Sequence, residues 1–194
     1  MFLRSLKETD ENAFISGIAD RSLRINYGFP EIIDAELSAS IFKHFCDLTR
    51  AFSINEKHSG NMVGFLLEVD TELPDNIKEM LSGEGRTLAF AIYTPYQRHG
   101  YMEEVLNAYI PYLFQNHEIK YVHCGHFEDN EPSKRLLKKL GFKEFTNHII
   151  NKRIIVDEIR VRWGCGQNPG HFDTVKDYGV TLFQRAGSCR THVV

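Results

Sequence analysis

The chain has 194 residues, 42% of them hydrophobic, enough to bury the core of one domain. Its 23 basic and 26 acidic residues are mixed along the sequence for a net charge of -3, which leaves out the clustered positive charge of a nucleic-acid binder. No run approaches the ~18 apolar residues of a membrane span, the opening MFLRSLKETDENAF lacks a signal peptide's apolar stretch, and Cys46, Cys124, Cys165 and Cys189 match neither a disulfide framework nor a zinc knuckle. The expectation is a cytoplasmic protein with free thiols, a monomer or homodimer, with neither nucleic acid nor membrane among its partners.

Residues 2 to 7 alternate apolar and polar like a half-buried strand, and Thr9 or Asp10 then caps a helix carrying Ala13, Phe14 and Ile18 on one face. After a loop ending at Gly28 and Pro30, the segment from Glu31 to Thr49 sets Ile33, Leu37, Ile41, Phe45 and Leu48 at helical spacing. Two β-like runs flank the polar turn Glu56 to Asn61, the mark of an antiparallel hairpin. The polar stretch from Thr71 to Gly85 reads as an insertion with a short helix in its middle. RTLAFAIYT is a buried strand, and from Tyr101 a helical stripe of Met102, Val105, Leu106, Tyr109 and Leu113 follows almost at once. KYVHCGHF is a further strand, EPSKRLLKKL a helix stopped by Gly141, and FKEFTNHII with KRIIVDEIRVRW a closing pair of strands. Beyond Trp163 the composition turns Gly-rich and polar, so 164–194 is read as a tail of uncertain structure. Its Cys165, His171, Cys189 and His192 match no zinc spacing, and no metal is expected.

Two joins carry chemistry. Tyr96-Gln97-Arg98-His99-Gly100-Tyr101-Met102 links a strand to the first turn of a helix, where backbone N–H groups lack internal partners and the helix dipole is positive. That is a seat for a pyrophosphate, and Gly100 lets the backbone approach an anion with no Cβ in the way. The segment also reads as an ordinary turn with one glycine. Asn130 and Ser133 open the next helix after a strand; Asn130 caps it and Pro132 suits its first turn, while a functional reading points both side chains into a cleft between diverging strands.

Together, in this order of elements, the two segments resemble the GNAT superfamily of N-acetyltransferases. The family's pyrophosphate pattern, Q/R-x-x-G-x-G/A, reads here Gln97-x-x-Gly100-x-Met102, with Met in place of Gly or Ala, and its later pattern matches Asn130-x-x-Ser133 and Gly141-Phe142. The resemblance spans residues 2 to 163 and looks most like the branch that acetylates ribosomal-protein N-termini and small amines. It implies an α/β GNAT fold over 1–163, a mixed central sheet of about six or seven strands with a splayed central pair and about four helices. It implies acetyl-CoA as co-substrate, held by Ile92, Thr94, Gln97, Arg98, His99, Gly100, Tyr101, Met102, Asn130 and Ser133, and a primary amine, small molecule or peptide N-terminus, as acceptor.

Two departures matter. Leu137 stands where many members place a tyrosine general acid, so Ser133 becomes the expected donor to the CoA sulfur. Thr87 stands where the branch often has glutamate, so the base is open among Glu68, Asp70, His123 and His126, with Glu68 the first candidate and loss of the proton to water a further route. Backbone N–H groups from Ile92 to Thr94 are expected to polarise the acyl carbonyl, and nothing beside Cys124 marks an activated thiolate, so direct transfer is expected. The rival function is a CoA-binding module without catalysis.

Overall fold

The computed structural model describes residues 1–71, 73, 79, 81 and 83–162. In chain order these form β1 (Phe2–Ser5), a 3-10 turn (Glu8–Asp10), α1 (Glu11–Ile18), α2 (Arg21–Tyr27), α3 (Ala35–Asp47), β2 (Ala51–Asn55) and β3 (Met62–Asp70). Then come β4 (Gly85–Ile92), a second 3-10 turn (Thr94–Tyr96), α4 (Tyr101–Asn116), β5 (Tyr121–Phe127), α5 (Glu131–Lys139), β6 (Lys143–Ile150) and β7 (Arg153–Val161). The seven strands make one mixed sheet in the order β1-β2-β3-β4-β5-β7-β6. The tail and most of the short helix expected within 71–85 lie outside the described residues.

The amino-terminal helices differ from the sequence reading, and caps explain why. Asp20 accepts from the Leu23 N–H and starts α2 inside what reads as a loop, while Gly28, at φ 94°, ends it in the left-handed region. Asp34 accepts from the Leu37 N–H, so α3 begins at Ala35 rather than at Glu31. The buried Arg24 guanidinium ties α2 to the end of α1 and to the loop before α3, donating to Ile18 O and Glu31 O.

Each face of the sheet has its own core. Phe14, Ile18, Phe42 and Phe45 of α1 and α3 pack with Phe65 and Tyr93 on one face. Leu106, Ile110 and Leu113 of α4 and Leu137 of α5 pack with Leu66, Leu88 and Val122 on the other. The alternation of β3, β4 and β5 supplies both sets, because successive strand side chains point to opposite faces.

One junction sets up the site. β4 and β5 are parallel and register only at Gly85↔Tyr121, Arg86↔Val122 and Thr87↔His123. β4 then runs on to Ile92 along β3 alone, and β5 to Phe127 along β7 alone, so the sheet splits down its centre. Helix α2 touches both β4 and β5 and covers the split on the α1–α3 face. It is tied there by Asn130 Nδ2 donating to Asn26 O at 3.4 Å and by Arg153 donating to Ile25 O at 2.7 Å.

Candidate functional site

At the mouth of the split, β4 passes through the 3-10 turn into α4. Gly100 is the N-cap of α4 at φ 77°, and Arg98 also has a positive φ of 66°. The first backbone N–H of the helix with a partner is that of Glu104, which donates to Gly100 O. From Gly100 to Glu103 no N–H has an acceptor among the described residues. A Cβ built on Gly100 meets nothing within 4 Å, so the approach to these amides is open. Four unpaired donors at the positive end of a helix of 16 residues favour an anion strongly.

The flanking side chains hold the turn. Gln97 folds back and donates through Nε2 to Ile92 O at 2.9 Å. The Tyr101 hydroxyl donates to Glu56 Oε1 at 2.9 Å, pinning the start of α4 to the β2–β3 hairpin, and the His99 ring stacks on Tyr101. Arg98, His99 and Thr94 are exposed, whereas Met102 is buried in the α4 core and offers the site only its backbone N–H.

Inside the split, the hydrogen-bond parity of β4 decides which amides are free. Tyr93 N–H donates to Val63 O at 2.9 Å, so Tyr93 has no amide left for a carbonyl, contrary to an oxyanion site drawn evenly over Ile92 to Thr94. Antiparallel pairing alternates, so the backbone groups of Phe90 and Ile92 point away from β3 and into the split. On the far side, Asn130 Oδ1 accepts from the Ser133 N–H at 3.3 Å and its Nδ2 reaches Asn26, so its side chain joins α2 to α5. The half-buried Ser133 has no side-chain partner among the described residues. Leu137 is 1% exposed and belongs to the core.

Glu68 lies one strand away, on the α4 face. The Tyr109 hydroxyl donates to its Oε2 at 2.5 Å and Arg86 Nε to its Oε1 at 3.1 Å. Arg50 Nε is also 3.0 Å from Oε1, although poorly aligned for a hydrogen bond. Both carboxylate oxygens are thus engaged, and burial followed by the Glu68 hydrogen bond pushes the Tyr109 phenol far above its ordinary pKa. Asp70 is likewise paired with Arg50. His126 faces α4 and α5, with Nδ1 2.9 Å from Phe127 O and Nε2 2.9 Å from Glu158. Two acceptors call for two N–H donors; the Glu158 hydrogen bond outweighs burial and raises its pKa.

On the opposite face, where the strands part, lies a chain of polar groups that sequence reading did not assemble: Thr71, Thr87, His123, Asp157 and His148. Thr87 and His123 stand out separately in the sequence; the sign that goes unread there is Asp157, a buried carboxylate in the apolar strand RIIVDEIRV. Cys124 is fully buried beside the split, and burial pushes its thiol far above the ordinary range, away from the reactive thiolate.

The family model described as Acetyltransferase (GNAT) domain matches residues 1–143. No curated protein matches. Among solved structures, the chain is similar to an acetyltransferase (GNAT family) from Bacillus anthracis at 13% identity and TM-score 0.68, covering 82% of this chain and 93% of that one. It is similar to the spermidine N-acetyltransferase from Vibrio cholerae, crystallised with CoA and spermine, at 13% identity and TM-score 0.65, covering 82% and 94%. It is also similar to a ribosomal-protein-S5-alanine acetyltransferase from Vibrio fischeri at 15% identity and TM-score 0.60, covering 82% and 91%.

Proposed function

Because the chain belongs to the GNAT acetyltransferase family, we propose that it transfers the acetyl group of acetyl-CoA to a primary amine by direct attack, with no acyl-enzyme. The observation that carries this reading is the row of unpaired N–H groups from Gly100 to Glu103 at the mouth of the β4–β5 split. They form an anion seat next to a slot with free strand amides, the two features that a pyrophosphate joined to a long thioester arm requires. Bound there, acetyl-CoA supplies an activated acyl group.

The chain's own residues do the rest. The amides from Gly100 to Glu103 hold the pyrophosphate, with the exposed Arg98 and His99 beside them. The Ile92 and Phe90 amides face the slot and polarise a carbonyl placed in it. The Ser133 hydroxyl donates to the sulfur end. Cys124 takes no part, since its thiol stays protonated.

The acceptor enters from the α1–α3 face, beneath α2. Relatives named for spermidine and for a ribosomal-protein alanine support an amine acceptor, and the second supports the ribosomal-protein branch as one of several places for this chain. No described helix is long and apolar enough to cross a membrane, in keeping with a proposed cytoplasmic location. The test is thiol release from acetyl-CoA across a panel of primary amines, with CoA binding measured by calorimetry. Turnover with at least one amine is expected. A chain that binds CoA and acetylates none is a binding module, and one that binds no CoA is neither.

A further inference from the structure

We propose that Thr87, His123 and Asp157 form a proton relay that receives the proton of the attacking amine; this rests on the transferase reading above. Thr87 and His123 are the last paired residues of β4 and β5, so their side chains stand side by side where the strands part. Both are half-buried on the face that α2 covers, and the strand surface above them is small: Ala89 and Ala91 on β4 and Gly125 on β5. An amine reaching into the split from that face arrives at the Thr87 hydroxyl.

The network has one consistent direction. Asp157 is 5% exposed, with His123 Nε2 3.0 Å from its Oδ1 and His148 Nδ1 2.8 Å from its Oδ2. A carboxylate only accepts, so it fixes N–H at both of those nitrogens and leaves a lone pair on His123 Nδ1. Thr87 Oγ1, 2.9 Å away, donates to that lone pair, and its own lone pairs face Thr71 Oγ1 at 3.2 Å and the split. This is the hydroxyl–imidazole–carboxylate order of a hydrolase triad, used here to move a proton rather than to form an ester. The rival histidine, His126, has acceptors against both nitrogens and no lone pair to offer.

The balance is simple. As the N–C bond forms, the nitrogen gives one proton to Thr87 Oγ1 while the hydroxyl proton moves to His123 Nδ1, making an imidazolium held against Asp157. The electron pair of the broken C–S bond leaves on sulfur, so amine and thioester become amide, thiolate and a His123 imidazolium; His123 then releases its proton to solvent, and the thiolate takes one from solvent to leave as thiol. An amine arriving as ammonium sheds its extra proton to solvent first. Thr87 is the catalytic group, His123 the terminal acceptor, and Asp157 a positioning residue.

The test uses the whole chain, acetyl-CoA and a panel of primary amines running from spermine to a peptide with a free N-terminal alanine. Thr87→Val, nearly isosteric, and His123→Ala should each lower kcat per folded molecule by about 100-fold or more, the usual worth of general base catalysis, while CoA affinity holds; His123→Ala also lowers Tm, because it takes a partner from the buried Asp157. Added imidazole should restore turnover to His123→Ala and not to Thr87→Val. Histidine 15N spectra of the unliganded chain should show His123 protonated on Nε2, a readout independent of turnover. An Nδ1–H tautomer, or a His123→Ala enzyme at wild-type kcat, overturns the relay and leaves the transferase standing. A wild-type chain that binds CoA but acetylates no amine in the panel overturns the reading beneath it.

Discussion

Glu68→Gln separates structure from catalysis most sharply. The Glu68 carboxylate is 6% exposed and is held by Tyr109, Arg86 and Arg50. An amide of the same shape turns its oxygen to the guanidinium groups and its nitrogen to Tyr109, whose hydroxyl then accepts; what is lost is the charge. Arg86 keeps Gly85 O and Arg50 keeps Asp70 at 2.6 Å, so neither cation is stranded. A charge-assisted hydrogen bond is worth about 1.5–3 kcal/mol, so the variant should lose about 2 kcal/mol. For a domain of this size that is a fall of about 4–8 °C in Tm, read by calorimetry alongside a urea titration. Turnover per folded molecule should stay at the wild-type level, because Glu68 lies on the α4 face with both oxygens engaged. A Glu68→Gln protein that melts normally yet transfers no acetyl group would make Glu68 the base and refute this placement.

Two further outcomes follow from particular contacts. His126 has its pKa raised by Glu158, so the stability it contributes is fully present below its unfolded value of about 6.5 and is lost as pH rises through the folded value. Urea midpoints should therefore decline as pH rises above about 6.5, and Glu158→Gln should remove that part of the slope; an unchanged slope would contradict the pairing. A Cβ at Gly85 would sit 2.1 Å from Cε2 of Tyr121, whose ring is 1% exposed, so Gly85→Ala should cost about 1–3 kcal/mol by overpacking. Because Gly85↔Tyr121 opens the short β4–β5 register, its Tm loss should come with weakened turnover, and a variant as stable as wild type would deny the close approach.

Strand–turn–helix joins were legible in the sequence because each is local. The Gln97–Met102 turn and the Asn130 cap each depend on a few neighbouring residues of distinctive type. Helix α2 was hidden because Arg21–Tyr27 is too short to show a stripe, with Leu23 its one buried apolar residue, although Asp20 and Gly28 mark both its ends. Glu68 reads as a strand-end charge facing water until tertiary packing brings in Tyr109 from 41 residues away. His123 and Asp157 stand 34 residues apart, and only the register of β5 on β7 shows that they share a face. Register between distant strands is set by the whole pleated pattern, which no local motif encodes.

The central claim is that the amides of the Gly100 turn are an anion seat, and an amide NMR titration with CoA tests it most directly. The N–H resonances of Gly100, Tyr101, Met102 and Glu103 should shift first and furthest, saturating with the same Kd as calorimetry. Gly100→Ala, which must hold φ 77° and puts a methyl group in the open approach, should weaken that Kd tenfold or more, about 1.4 kcal/mol, with the fold intact. Coenzyme A binding that leaves these four resonances in place, or that Gly100→Ala does not weaken, would contradict the account.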